Sequence, residues 1–183
     1  MVPLGELTFE AARAAFLEQA AALVEGGVDA FWIETMYDLE EVRAAVEACR
    51  TIAPDLPIVA TMTFDTAGRT MMGVAPDSAL AALHEMGVFA LGGNCGNGPA
   101  EIEGALQSMQ AADQEVLITA KSNAGMPHLI DGVPVYDATP EDMAVHALRA
   151  KELGAQIIGA CCGSTPEHIR AMAEALQMEG QNQ

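Results

Sequence analysis

Cations are scarce in this chain: 8 lysines and arginines stand against 26 aspartates and glutamates, a formal net charge of −18. So acidic a surface repels a phosphate backbone, which excludes nucleic acid and, on the same ground, anionic membrane surfaces. Long apolar runs are also missing. Although 51% of the residues are apolar, no stretch of about 18 runs uninterrupted, so no membrane span is expected. The N-terminus lacks a basic region ahead of an apolar one, and Glu6 and Glu10 interrupt it. It does not read as a signal peptide, and a cytoplasmic location is expected. Gly92-Gly93 is not followed by the glycine spacing of a dinucleotide fingerprint, so a phosphate cradle is not expected there.

What is present is an even distribution of apolar residues over 183 positions, enough for one domain with a true core. Short apolar runs at 28–34, 58–64, 88–94, 116–121 and 156–160 read as buried parallel strands. Amphipathic stretches at 9–25, 39–52, 77–86, 100–112, 140–153 and 166–178 read as helices. Thr139-Pro140 and Thr165-Pro166 carry helix-start signals, while Gly26-Gly27, Gly87 and Gly154 mark helix ends. The order is α(βα)₅. A unit of roughly thirty residues is the period of a (β/α)₈ barrel, which usually needs about 250 residues. The expectation is therefore an incomplete TIM-type barrel corresponding to the last five strands. A doubly wound open sheet is the rival. Both architectures put the active site at the carboxyl ends of the strands.

Chemistry-bearing residues gather at those ends. Glu34-Thr35-Met36-Tyr37 follows the first strand, Asp65–Thr70 the second, and Asn94-Cys95-Gly96 the third. Ser122-Asn123-Ala124-Gly125 follows the fourth and Cys161-Cys162-Gly163-Ser164 the fifth, whereas the opposite turns are plain. Three cysteines on one face suit zinc, which takes thiolates and keeps a fourth position open in catalytic sites. Packing is the competing reading, because free cysteine is a common buried residue and no paired CxxC motif is present. Adjacent strand residues point to opposite sides, so Cys161 and Cys162 converge only where the backbone bends; Gly159 and Gly163 are the candidates for that bend. A vicinal Cys161–Cys162 disulfide would be strained, which weakens a thiol-redox reading. Cys49 lies inside a helical pattern and is expected in the core. Glu34 is a candidate for a substrate ammonium group. Asn94 and Asn123 are candidates for a substrate carboxylate, for the metal, or for loop backbone. Lys121 reads as a snorkelling strand-end lysine. His84, His146 and His168 fall in helices and His128 in a loop, none at metal-ligand spacing.

These motifs resemble the homocysteine S-methyltransferase family, which includes betaine–homocysteine methyltransferases and the homocysteine domain of cobalamin-dependent methionine synthases. Gly93-Asn94-Cys95-Gly96 resembles the first zinc motif, and the segment from Gly159 through Cys161-Cys162-Gly163 to Ile169 the second, with Ala160 where glycine is usual. Ile33-Glu34-Thr35-Met36 is similar to the segment whose glutamate contacts the homocysteine amino group. Lys121-Ser122-Asn123-Ala124-Gly125 is similar to the K-P-N-A-G stretch, whose asparagine lies near the zinc. The resemblance covers essentially the whole chain, and 61–73 is nearest to bacterial betaine–homocysteine enzymes.

It implies one Zn²⁺ on Cys95, Cys161 and Cys162, with Asn123 as a further candidate ligand and Glu34, Asn94 and Asn123 as substrate contacts. It also implies homocysteine as acceptor, betaine-like or methyl-cobalamin donors, and methionine as product. Three N-terminal βα units of the family are absent from this sequence. A complementing chain or homo-oligomer is therefore expected, with a non-catalytic zinc-binding or interaction domain as the alternative.

Overall fold

The helices begin where short polar side chains satisfy otherwise unpaired backbone N–H groups. The computed structural model describes residue 1, residues 5–112 and residues 116–181. Helix α1 (Phe9–Glu25) is capped by Thr8, whose hydroxyl accepts from the Ala11 N–H at 3.2 Å. Helix α2 (Leu39–Ile52) is capped by Asp38, which accepts from the Glu40 N–H at 2.9 Å. Helices α3 (Pro76–Glu85) and α4 (Pro99–Gln110) open on proline, whose missing N–H costs nothing at that position. Helix α5 (Pro140–Glu152) has a reciprocal box in which Thr139 and Asp142 each accept from the other's backbone. Helix α6 (Pro166–Gln181) uses a histidine in that role: the Thr165 N–H donates to His168 Nδ1 at 3.0 Å.

Between the helices run β1 (Phe31–Met36), β2 (Ile58–Met62), β3 (Ala90–Cys95), β4 (Leu117–Ser122) and, after a hairpin, β7 (Ala155–Ala160). They form one parallel sheet in the order β1-β2-β3-β4-β7. Sequential order with no reversal is the winding of a barrel; a doubly wound sheet reverses direction in its middle. The rival architecture is thereby set aside, and the molecule is an incomplete (β/α)₈-type barrel. The hairpin, β5 (His128–Ile130) with β6 (Val133–Val135), was not expected from the sequence, and it puts His128 in a strand rather than a plain loop.

The two faces of the sheet differ in chemistry. Phe31, Ile33, Ile58, Ala60, Met62 and Leu91 face outward and pack with Val42, Val46, Leu80, Leu83 and Met109 of the helices. Burying such side chains stabilises by about 1.5–3 kcal/mol each, and this outer shell is the main core. Cys49 is part of it, 6% exposed. By alternation and register, the inner face carries Trp32, Glu34, Thr61, Gly92, Asn94, Thr119 and Lys121. Strands β1 and β7 are the edges of the sheet, and Trp32 on the inner face is 43% exposed. No described helix is long and apolar enough to cross a membrane.

Gly92 marks a close approach of neighbouring strands. A Cβ there would stand 1.9 Å from the Thr119 carbonyl oxygen, so no other residue fits without moving backbone. Gly104, exposed in α4, meets nothing within 4 Å. Denaturant unfolding should separate the two: Gly92→Ala is expected to lose more than about 3 kcal/mol, whereas Gly104→Ala should gain about 0.5–1 kcal/mol. Equal effects would show that strand spacing is not set at Gly92.

Candidate metal centre

Strand β3 ends in a tight reversal. Cys95 has φ 64° and Gly96 φ 75°, the first uncommon for a residue with a Cβ. The loop is held by Glu101, whose carboxylate accepts from the Asn97 N–H at 2.7 Å and the Asn97 side-chain amide at 3.1 Å. A Cβ at Gly96 would sit 2.5 Å from that same carboxylate. Cys95 is thus turned back over the end of the sheet by a loop that its own following helix clamps.

Cys161 and Cys162 lie just past β7, where the pleat has ended. The Cys161 N–H donates to the Ser122 carbonyl at 2.7 Å, and the Ala124 N–H donates to the Cys162 carbonyl at 2.9 Å. Gly163 follows with φ 80° and supplies the bend. Gly159 does not: it sits inside β7, without a positive φ, and the Lys121 stem lies across it, Cγ 3.4 Å from where a Cβ would be. Its smallness makes room for a side chain of the neighbouring strand.

The result is a three-sulfur group. Cys95 Sγ and Cys162 Sγ are 3.6 Å apart, Cys161 Sγ and Cys162 Sγ 4.0 Å apart, and all three sulfurs fall within 4.8 Å of one another. A tetrahedral ion with ~2.3 Å bonds to sulfur needs ligand separations of about 3.8 Å. The donor set therefore fits a small thiophilic cation with a fourth position to spare. Burial, reinforced by the two adjoining sulfurs, pushes the Cys95 thiol up to about 12. A dication among the sulfurs reverses that preference, because it favours the thiolate.

Asn123 joins the two halves. Its side-chain amide donates to the Gly96 carbonyl at 2.6 Å, and its oxygen accepts from the Cys162 N–H at 2.9 Å. Expected as a metal ligand or substrate contact, it has both amide ends engaged on the backbone that carries the sulfurs. Asn94 behaves alike. Its oxygen accepts from the Thr35 N–H at 3.0 Å, and its nitrogen donates to Thr35 Oγ1 at 2.7 Å and approaches Cys161 Sγ at 3.9 Å. That grip holds Thr35 at φ 63°, a strained setting for a β-branched residue. Glu34, directly before it, forms an ion pair with Lys121 across the sheet.

Several residues at this face were given no role of their own by the sequence. The Tyr136 ring lies over Gly163, where a Cβ would stand 2.1 Å from Tyr136 Cγ. Burial, then the Cys162 sulfur, raises its phenol above the ordinary value. Tyr37 is likewise raised, by burial and then by Asp65. Thr35 also went unread, since nothing in a strand pattern announces a left-handed threonine. The histidines stay outside the sulfur group. His146 is buried with Nδ1 2.9 Å from Glu103, and His168 Nε2 donates to the Ala138 carbonyl at 2.9 Å.

Metal uptake by protonated thiols must expel protons, so affinity for Zn²⁺ or Cd²⁺ should rise with pH across the neutral range. Titration in weak buffer should record at least one proton released per ion, from Cys95; a pH-independent affinity would contradict the three-sulfur site. Asn123→Ala should weaken metal binding by about 10–100-fold with the circular dichroism spectrum retained. Cys49→Ala should leave metal stoichiometry unchanged while lowering stability by about 1 kcal/mol.

A family model for homocysteine S-methyltransferase matches residues 2–176. The methionine synthases of Mycobacterium leprae (strain TN) and Mycobacterium tuberculosis (strain ATCC 25618 / H37Rv) are each 34% identical over 179 residues, 94% of this chain. The chain spans only 15% of the length of those relatives. Among solved structures, the apo form of the Escherichia coli homocysteine methyltransferase MmuM superposes with a TM-score of 0.75 at 23% identity, over 93% of this chain and 58% of that one. Its metallated form gives a TM-score of 0.76, over 93% of this chain and 53% of that one. At that identity the superpositions establish the partial barrel alone. With the family model covering nearly all of the sequence, the chain belongs to the homocysteine S-methyltransferase family.

Proposed function

We propose that this chain holds a zinc ion on Cys95, Cys161 and Cys162 and presents the homocysteine thiol for methyl transfer, giving methionine. The observation that carries this reading is the sulfur geometry: separations of 3.6 and 4.0 Å at the carboxyl ends of the strands, in a chain of this family. Zinc, when bound, supplies a modest Lewis acid that keeps a substrate thiol in its nucleophilic thiolate form at neutral pH.

The chain's own residues do the rest. Three thiolates leave one ligand position for the substrate. Asn123 fixes the distance between the Cys95 loop and the Cys161-Cys162 turn, so the ligand set needs little rearrangement. Asn94 points its amide nitrogen toward Cys161 Sγ, which moderates negative charge on that sulfur. The same amide, through Thr35, fixes the backbone from which Glu34 projects. Glu34 is the acceptor for the substrate's ammonium group. The donor is of betaine type or methyl-cobalamin.

A second reading keeps the metal and drops the turnover. It is favoured by the two sheet edges, unpaired among the described residues, and by Trp32, 43% exposed on the inner face. On that reading the chain is a non-catalytic zinc-binding or interaction domain, or a part whose barrel a complementing chain or a homo-oligomer completes.

Elemental analysis alongside solution mass separates these. One zinc per chain is expected, with Cys95→Ser, Cys161→Ser and Cys162→Ser each lowering occupancy at least tenfold. Homocysteine-dependent methionine formation should follow with one of the two donors. Zinc without turnover by the isolated monomer, restored in a closed assembly, would favour the second reading. Absence of stoichiometric zinc would sink both.

A further inference from the structure

We propose that Tyr136 decides which thiolate of the site meets the methyl donor: its hydroxyl donates to the Cys162 sulfur and keeps that exposed ligand from being methylated in place of the substrate. The inference rests on the thiol-activating reading above and gives a role to a residue outside the cysteine motifs.

The sulfurs are not equally sheltered. Cys95 and Cys161 are partly buried, whereas Cys162 is exposed. An electrophile arriving from solvent therefore meets Cys162 first. Cys161 has the Asn94 amide nitrogen 3.9 Å from its sulfur. The group that attends Cys162 is the Tyr136 phenol. Burial, and then the Cys162 sulfur as a neighbouring charge and as a hydrogen-bond partner, raise that phenol above its ordinary value. It keeps its proton at neutral pH and so remains a donor.

Tyr136 is fixed in this place from several sides. Ala124 donates its N–H to the Cys162 carbonyl at 2.9 Å and accepts from the Ala138 N–H at 3.0 Å. The turn that carries the sulfur and the segment that carries the phenol thus hang on one residue. His168 Nε2 donates to the Ala138 carbonyl at 2.9 Å. The ring packs against the buried cluster of Ala124, Met143, Ala147 and Met172. Its base covers Gly163, the residue bonded to Cys162, where a Cβ would stand 2.1 Å from Tyr136 Cγ.

A thiolate is methylated when its lone pair attacks the donor's methyl carbon. An S–C bond forms, the bond from methyl to donor breaks, and that electron pair leaves with the donor. Cys162 and the substrate thiolate compete for this step, and its occurrence at Cys162 would turn a ligand thiolate into a thioether. A hydrogen bond donated to a thiolate favours the charged form and lowers its basicity, and nucleophilicity falls with basicity. The Tyr136 hydroxyl therefore handicaps the one ligand that solvent reaches.

The test treats the chain, at saturating Zn²⁺, with iodoacetamide, which loses iodide as the S–C bond forms. Fragment mass spectrometry reads Cys95, Cys161 and Cys162 separately. Tyr136→Phe keeps the ring over Gly163 and removes the donor. It should label Cys162 about 3–10-fold faster, with zinc content and the labelling of Cys95 and Cys161 unchanged. Tyr136→Ala, which also uncovers the turn, should label Cys162 at least as fast as Tyr136→Phe. Unchanged labelling of Cys162 in Tyr136→Phe overturns the inference and leaves the metal reading standing. Equal acceleration at all three cysteines does the same, since it marks the ring as a general brace. An unsubstituted chain that takes up no zinc would overturn both.

Discussion

One side chain spans the two loops that carry the three sulfurs. Cys95 follows β3 and Cys161-Cys162 follow β7, and β4 runs between those strands. Asn123, at the end of β4, donates to Gly96 on one side and accepts from Cys162 on the other. A primary amide is suited to this, since it carries a donor and an acceptor on one rigid plane. Aspartate would offer only acceptors at neutral pH, and the Gly96 carbonyl would then face a second oxygen. The distance between the two sulfur-bearing loops is accordingly a property of β4, fixed from the strand between them.

Around that bridge the molecule divides its labour by face. The outer face of the sheet is apolar and buried against helices, and it supplies the stability. At the carboxyl ends, strain and unusual backbone accumulate: Thr35, Cys95, Gly96 and Gly163 all have positive φ. Such conformations persist only where neighbouring contacts hold them, and here those contacts are named: Asn94 for Thr35, and Glu101 for the loop after Cys95. The inner face makes its own demand for smallness. Gly92 lets strands approach, and Gly159 gives the Lys121 stem a floor.

Much of this could be read in the sequence, because the signals were local. The helices at Phe9–Glu25 and Leu39–Ile52 coincide with the periodic stretches that announced them. The strands were legible as apolar runs, with ends displaced by up to three residues. The three cysteines were legible by their glycine neighbours. The hairpin at His128–Val135 went unread even though Asp131-Gly132 lies between β-branched and apolar residues, the usual mark of a two-residue turn. Its exposure left no burial pattern to attract notice. Gly159 was misread as a hinge because its role is set by Lys121, 38 positions away in sequence. Tyr136 and Thr35 were missed for the same reason: each acquires meaning only from a residue on another strand or loop.

Charge ties the site to the chain as a whole. A net charge of −18 gives the protein a field that attracts cations and opposes anions. A dication taken up by the three thiols would be drawn in by that field. A free carboxylate ligand would approach against it. An amino acid at neutral pH has no net charge to oppose, and it meets the field only as a dipole. On the inner face the one lysine of the sheet is held beside Trp32 and paired with Glu34.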